Sequence, residues 1–167
     1  MVKYVGHEIR AVIMNKLEMD VRDTVLLANA ESIAVEASMV AYEGVVIAAE
    51  RDAGSLRTME ENASKFGTHN IEIIPEITVE ALEKLPTPRL AFIVAQKSTI
   101  ENDIVTLLKV NPKIKIIIYT LELDILADIK YLMKKHGVDV TEVMQIAVSK
   151  VDKNGVFVAQ PAPWMIT

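Results

Sequence analysis

Carboxylates are the side chains of this sequence that could carry out acid–base chemistry. Asp124 and Asp128 lie four residues apart, which places both on one face of a helix, and Asp103 lies on an earlier predicted helix. Two carboxylates can divide the roles of acid and base when burial separates their pKa values. Carboxylates on an exposed helix are instead solvated, and the sequence favours this second interpretation for all three.

Nucleophiles and metal ligands are sparse. The chain contains no cysteine, which excludes disulfides, thiolate metal sites and a cysteine nucleophile. Its three histidines, His7, His69 and His136, show no metal-ligand spacing. None of them follows a predicted strand beside a nucleophilic serine. We therefore expect neither a metal site nor a serine–histidine–aspartate triad.

Composition narrows the class of protein. The net charge is −5 and the isoelectric point is near 5.3, whereas nucleic-acid binders usually carry a basic face, so no nucleic-acid partner is expected. The sequence has no run of about 18 apolar residues and no signal-peptide pattern at its start. With 51% hydrophobic residues, we expect one cytoplasmic domain over residues 1–167.

The chain alternates short runs of β-branched residues with amphipathic stretches, and the candidate residues lie on or between these segments. Period-2 and period-3.6 patterns predict a leading helix and then five strand–helix units. The predicted strands are 24–28, 45–50, 71–75, 90–95 and 114–119. The predicted helices are 8–17, 33–42, 55–66, 79–85, 100–109 and 123–136.

The last part of the chain predicts a hairpin. Residues 141–149 and 157–166 read as two extended runs, joined by a turn at residues 152–155 whose Asn154 and Gly155 tolerate positive φ. Right-handed crossovers then give an α/β fold with a doubly wound, mostly parallel, seven-stranded sheet and a terminal antiparallel hairpin.

Segments in a fixed order along nearly the whole chain carry a family resemblance: residues 8–11, 16–17, 32–37, 49–52, 61–67, 80–82, 120–122 and 145–149. The chain resembles the cobalt-precorrin C15-methyltransferases (decarboxylating) of cobalamin biosynthesis, also called precorrin-8w decarboxylases. The resemblance implies the Rossmann-like class I methyltransferase fold, S-adenosylmethionine as cofactor, a tetrapyrrole substrate and a homotetramer. The apolar terminal hairpin is the expected contributor to that assembly.

In this fold the ligand lies outside the carboxyl ends of the first, second and fourth strands. The family has an Asp-x-Gly-x-Gly-x-Gly loop after the first strand, and the sequence aligns it with residues 25–31. Val25 then replaces the aspartate, and Leu27, Asn29 and Glu31 replace the glycines. We expect these side chains to fill part of the cofactor cleft, and Glu31 and Ser32 to cap the following helix.

The other ligand-binding positions are partly retained. By the resemblance, Glu50 would accept hydrogen bonds from the ribose of the cofactor; the alternative is a solvated residue or an ion-pair partner of Arg51. Ile77 lies where the family places an acidic residue near the adenine, and we expect it to help to fill the cleft. Gln96, Lys97 and Ser98 replace a glycine-rich loop on the substrate side.

Two functions therefore stay open. One is a methyltransferase of corrinoid synthesis with an impaired S-adenosylmethionine site. The other is a non-catalytic pseudo-methyltransferase that acts as a scaffold, a regulator or a tetrapyrrole-binding protein, with no cofactor. Loss of the glycines favours impaired cofactor binding.

Overall fold

The computed structural model describes residues 5–167, and its elements follow the predicted alternation. The helices are α1 His7–Leu17, α2 Glu31–Val40, α3 Ala53–Phe66, α4 Val79–Leu82, α5 Ile100–Val110 and α6 Leu123–Lys135. The strands are β1 Thr24–Ala28, β2 Val45–Ala49, β3 Ile71–Ile74, β4 Leu90–Val94, β5 Lys115–Thr120, β6 Val143–Gln145, β7 Ser149–Val151, β8 Phe157–Ala159 and β9 Trp164–Ile166.

The main sheet has seven strands in the order β3-β2-β1-β4-β5-β9-β6. β1 to β5 run parallel, and β9 is antiparallel to both β5 and β6. β7 and β8 form a separate two-stranded antiparallel sheet. The predicted doubly wound fold, with seven strands that are mostly parallel, is confirmed.

The terminal region corrects one detail of that prediction. The first predicted run contains β6 and only the first residue of β7, and the second contains β8 and β9. β6 and β9 join the main sheet, while β7 and β8 form the hairpin. Pro161 and Pro163 interrupt the second run because proline has no N–H to donate to a ladder. The turn itself is as predicted: Gly155 has φ +78°, and its N–H donates to the Asp152 carbonyl at 3.0 Å.

Helices cover both faces of the sheet. Val25 and Leu27 of β1 face the core that α1 and α2 close, whereas Leu26 and Ala28 face the core that α5 and α6 close, as the alternation of a strand requires. The covering helices change face between β1 and β4, which are neighbours in the sheet. This change is the topological switch point, where α/β folds bind ligands.

An ion pair ties β1 to β4 at their amino ends. The Arg89 guanidinium contacts both carboxylate oxygens of Asp23 at 2.6 Å, and Asp23 is 8% exposed. Hydrogen bonding to Arg89 is the main cause that lowers the pKa of Asp23. Gly44 packs against the same loop, since a Cβ there would lie 2.0 Å from the Asp23 carbonyl oxygen.

None of the helices in residues 5–167 is long and apolar enough to cross a membrane.

Candidate functional site

The carboxyl ends of β1, β2 and β4 open into a cleft of about 450 Å³. This volume is in the range of small-molecule sites. Asn29 and Glu50 lie side by side on its floor, because the Asn29 N–H donates to the Ala49 carbonyl at 3.0 Å. Glu50 therefore lies next to the loop that follows the first strand.

Glu50 is held rigidly at the end of β2. It is 5% exposed, and its Oε1 accepts hydrogen bonds from the backbone N–H groups of Arg51 and Asp52, at 2.9 and 2.8 Å. Asp52 lies beyond it as the N-cap of α3, where its carboxylate accepts from the Ser55 N–H at 2.9 Å. The backbone therefore fixes the Glu50 carboxylate toward the cleft.

Arg51 forms the rim of the cleft. Its Nε donates to the Pro75 carbonyl at 3.0 Å, and its Nη2 lies 2.6 Å from Oε2 of Glu76. These contacts link the loops that follow β2 and β3. One interpretation of the sequence was an ion pair between Glu50 and Arg51. In the structure the Arg51 guanidinium forms an ion pair with Glu76.

The Asn29 side chain spans the floor of the cleft between the ends of β1 and β4. Asn29 adopts φ +55°, in the left-handed region, which asparagine tolerates better than most residues. Its side-chain Nδ2 donates to the Val94 carbonyl at 3.2 Å, so it joins the ends of β1 and β4. The side chain consequently occupies the floor where a glycine would leave the backbone open.

Helix α2 begins with an acidic residue, Glu31. Ala30 occupies the N-cap position and makes no side-chain cap, and Glu31 is the first helical residue. Ser32 lies inside the first turn, with its Oγ buried and, among residues 5–167, without a hydrogen-bond partner. The predicted cap by Ser32 is therefore wrong, because the helix begins one residue before it.

Leu27 and Glu31 correct the sequence prediction of a filled cleft. Leu27 is a β1 residue, 1% exposed, and packs in the core on the face of α1 and α2. Val25 lies in mid-strand, paired with Val46 and Leu90, so the ligand loop begins later than the alignment placed it. Neither Leu27 nor Glu31 is among the residues that line the cleft.

Ile77 and Asp103 also line the cleft. Ile77 is 3% exposed and provides an apolar wall. Asp103, on the first turn of α5, is 7% exposed and also lines the cleft. Burial is the main cause that raises the pKa of Asp103; a hydrogen bond from Thr99 and the charge of Arg51 oppose the shift.

Asp103 is the residue that sequence reasoning missed, since it was assigned to a solvated helix face. The available signal was its place one turn into the helix that follows β4, at the switch point. On the substrate side, Gln96 and Ser98 line the cleft. Lys97 points elsewhere: its side chain is 70% exposed, and its Nζ lies 3.8 Å from Oδ2 of Asp128.

Within residues 5–167, no group of three or more histidine, cysteine, aspartate or glutamate side chains is placed to hold a metal ion.

Residues 3–166 match the family model of the precorrin methyltransferase domain. The chain therefore belongs to the precorrin methyltransferase family, as the sequence resemblance predicted. No curated protein matches its sequence.

Solved structures of precorrin enzymes share the fold over almost the whole chain. Precorrin-6y C5,15-methyltransferase from Geobacter metallireducens is 25% identical, with a TM-score of 0.86, over 99% of this chain and 88% of that one. Precorrin 8w decarboxylase from Methanobacterium thermoautotrophicum is 20% identical, with a TM-score of 0.80, over 98% and 90%. The C-terminal domain of precorrin-6Y C5,15-methyltransferase from Rhodobacter capsulatus is 16% identical, with a TM-score of 0.72.

S-adenosylmethionine is the methyl donor of this family, and the residues of the cleft fit it in part. Glu50 and Ile77 suit a ribose and a base, as a buried carboxylate and an apolar wall. The floor between β1 and β4 fits the amino-acid half less well, because the Asn29 side chain bridges to the Val94 carbonyl there.

Proposed function

We propose that this chain is a member of the precorrin methyltransferase family whose S-adenosylmethionine site is impaired, so that it serves the cobalamin pathway by binding rather than by methyl transfer. The observation that carries the proposal is the hydrogen bond from Asn29 to the Val94 carbonyl. It closes the floor between β1 and β4, where glycine would let the backbone approach a ligand.

Charge supports the same conclusion. An amino acid presents a carboxylate, which the free N–H groups and the dipole of a helix N-terminus would bind. In α2 this end carries Glu31. Glu31 does not line the cleft, but its charge at this helix end opposes the attraction of the helix dipole for the carboxylate of S-adenosylmethionine.

A second function is favoured by the open part of the cleft. Its volume of about 450 Å³ and the fixed Glu50 carboxylate are compatible with an active methyltransferase that holds S-adenosylmethionine through a remodelled loop. In such an enzyme the protein chiefly positions the methyl group against the nucleophilic carbon.

Calorimetric titration with S-adenosylhomocysteine and S-adenosylmethionine distinguishes the two functions. We expect Asn29→Gly to bind S-adenosylhomocysteine at least about tenfold more tightly than the unmodified protein, because glycine keeps the positive φ and opens the floor. Asn111→Ala is the matched control, since Asn111 Nδ2 donates to the Pro88 carbonyl at 2.9 Å outside the cleft. That variant should lose a comparable hydrogen bond and gain no affinity.

Micromolar binding of S-adenosylmethionine by the unmodified protein, with methyl transfer to a precorrin, would overturn the proposal in favour of the active enzyme. Equal affinity of the unmodified protein and Asn29→Gly would show that Asn29 does not block the site.

The proposed binding partner is a tetrapyrrole of the corrinoid pathway, held at the mouth of the cleft. Gln96 and Ser98 line that side and can donate hydrogen bonds to the carboxylate side chains of a corrin. Titration with cobyrinic acid, followed by its visible absorption, should show binding that Gln96→Ala weakens; an unchanged spectrum would contradict this assignment.

We also propose a homo-oligomer, a tetramer as the family resemblance implies, assembled through the β7–β8 hairpin. Val151, Phe157 and Val158 of this hairpin are 66%, 67% and 47% exposed, and a two-stranded sheet is marginally stable alone. Light scattering should show a smaller species for Phe157→Asp than for Tyr131→Asp, a control that is also 67% exposed. Equal masses would exclude the hairpin as the interface.

A further inference from the structure

The tip of the β7–β8 hairpin combines an asparagine with a following glycine. Asn154 is exposed, and it is the one asparagine of the sequence that precedes a glycine. Gly155 has φ +78°, and a Cβ built on it would have no atom of another residue in the described chain within 4 Å, its two neighbours apart. The peptide unit between Asn154 and Gly155 consequently has little steric protection.

Hydrogen bonds to Asp152 hold this turn closed. The Asp152 carbonyl accepts from the Gly155 N–H at 3.0 Å, and its Oδ1 accepts from the N–H groups of Asn154 and Val156 at 2.8 and 2.9 Å. The Gly155 nitrogen is therefore engaged while the turn is closed. A two-stranded sheet is marginally stable alone, and exposed segments open locally at much lower cost than global unfolding. Opening of the turn releases the nitrogen.

From this arrangement we propose that Asn154 is a site of spontaneous deamidation, with the Gly155 nitrogen as the nucleophile, and that the isoaspartyl product unpairs β7 from β8. The site needs no enzyme and no cofactor, because the reacting groups belong to adjacent residues and water is the co-reactant.

The reaction has two steps. The Gly155 nitrogen loses its proton and forms a bond to Cγ of Asn154, while the bond from Cγ to Nδ2 breaks and ammonia leaves with a proton; the product is a five-membered succinimide. Water then opens this ring at one of its two carbonyls. Opening at Cγ gives aspartate, whereas opening at the backbone carbonyl gives isoaspartate, in which the chain continues through Cγ.

Isoaspartate is incompatible with the turn. It adds one methylene to the backbone between Lys153 and Gly155, so that the Gly155 N–H no longer meets the Asp152 carbonyl. It also places a new carboxylate beside that of Asp152, and like charges at this distance repel each other. The paired strands Ser149–Val151 and Phe157–Ala159 then lose the turn that sets their register.

Incubation of the full chain at pH 8 and 37 °C, with proteolysis and mass spectrometry, measures the reaction. We expect Asn154 to deamidate at least about tenfold faster than Asn70. Asn70 precedes an isoleucine, and its Nδ2 donates to the carbonyls of Ser38, Ala41 and Gly44. The rate should fall between pH 8 and pH 6, because the nucleophile is the deprotonated nitrogen.

A pair of variants tests the role of the turn. Asp152→Ala removes both hydrogen bonds to Oδ1, so the turn opens more often and the rate should rise at least about fivefold. Lys153→Ala is the matched control within the same turn. Its side chain can accept none of these hydrogen bonds, and its rate should equal that of the unmodified protein.

Hydrogen exchange tests the structural consequence. The N–H groups of Lys150 and Val158 lie in the ladder between the bonds Asp152 N–H to Val156 carbonyl and Gln160 N–H to Val148 carbonyl. In the isoaspartyl fraction these two groups should exchange at least about tenfold faster than before incubation. Asn154→Ser, incubated in the same way, cannot form the succinimide and should keep its protection.

Three results would overturn the inference: equal rates at Asn154 and Asn70, no acceleration in Asp152→Ala, or full protection in the isoaspartyl product. Loss of pairing would also give the proposed homo-oligomer a limited lifetime, a consequence that rests on the hairpin as its interface. Light scattering of the incubated sample separates the two proposals, since lost protection with an unchanged mass counts against that interface and supports the deamidation site.

Discussion

Arg89 and Asp23 form a two-point contact at the amino ends of β4 and β1, with both nitrogen–oxygen distances at 2.6 Å. Asp23 is buried and the Arg89 side chain is 52% exposed. The pair joins two neighbouring strands at the ends opposite the cleft, so it helps to keep the carboxyl ends level. Its charge state should therefore affect the stability of the sheet.

Asp23→Asn should lower the free energy of unfolding at pH 7 by about 1–2 kcal/mol, because it leaves Arg89 without its carboxylate. Since Arg89 lowers the pKa of Asp23 from 3.8, the contribution of this carboxylate is complete above pH 3.8 and is lost as the pH falls through the lowered pKa. Denaturation at several pH values checks this. A variant whose acid unfolding is as steep as that of the unmodified protein would contradict it.

Asp103→Asn should have the opposite effect at neutral pH. Burial raises the pKa of Asp103, so its ionised form costs stability in the folded state, and an uncharged amide removes that cost. We expect a gain of about 1 kcal/mol, or roughly 2–4 °C in Tm. The gain should disappear as the pH falls below 3.8, the ordinary value, since both states are then protonated. A lower Tm for Asp103→Asn than for the unmodified protein at pH 7 would show that the ionised Asp103 carboxylate does not destabilise the folded state.

Gly44→Ala should be strongly destabilising. The added Cβ would lie 2.0 Å from the Asp23 carbonyl oxygen and 2.8 Å from two further backbone atoms, so the loop must move, at a cost of about 2 kcal/mol or more. Gly54→Ala, within α3, meets only the Asp52 side chain, at 3.2 Å. Chemical denaturation should rank the two alanine variants in this order, and similar midpoints would count against the steric argument.

Asn29→Ala and Asn29→Gly should differ in stability by about 1 kcal/mol in favour of glycine. Both lose the hydrogen bond to the Val94 carbonyl, but alanine must also adopt φ +55°, which costs about 1–2 kcal/mol for a side chain without local polar contacts. Comparing the unfolding curves of the two variants measures the cost of the positive φ for alanine. Equal stabilities would mean that the loop relaxes to a negative φ when the amide is removed.

The strands could be predicted closely because their signal is local. β1 was predicted at residues 24–28 and is observed as Thr24–Ala28, since a β-branched and apolar run bounded by polar residues fits a pleated strand. The turn at residues 152–155 could be predicted in the same way, because Gly155 readily adopts the positive φ that the turn requires. These features depend on residues that are neighbours in the sequence.

The orientation of side chains at the site depended on information that the sequence did not contain. The family's glycine loop had no glycines here to mark its start, so Leu27 was placed in the loop although it is a core residue of β1. Asp103 was placed on a solvated face because its burial arises from the packing of α5 beside Ile77 and the loops after β2 and β3. Such packing joins segments far apart in the chain, which periodicity alone does not reveal.

The position of β9 has a consequence for synthesis on the ribosome. β9 lies between β5 and β6, although it follows both in the chain. β6 therefore emerges before the strand that attaches it to the sheet, and the hairpin of β7 and β8 follows it, also ahead of β9. Until residues 164–166 have left the exit tunnel, the β5 edge stays open to other chains, and open edges of this kind invite aggregation. Translation that stalls before residues 164–166 emerge would leave a nascent chain whose parallel strands can fold while the β5 edge remains unpaired.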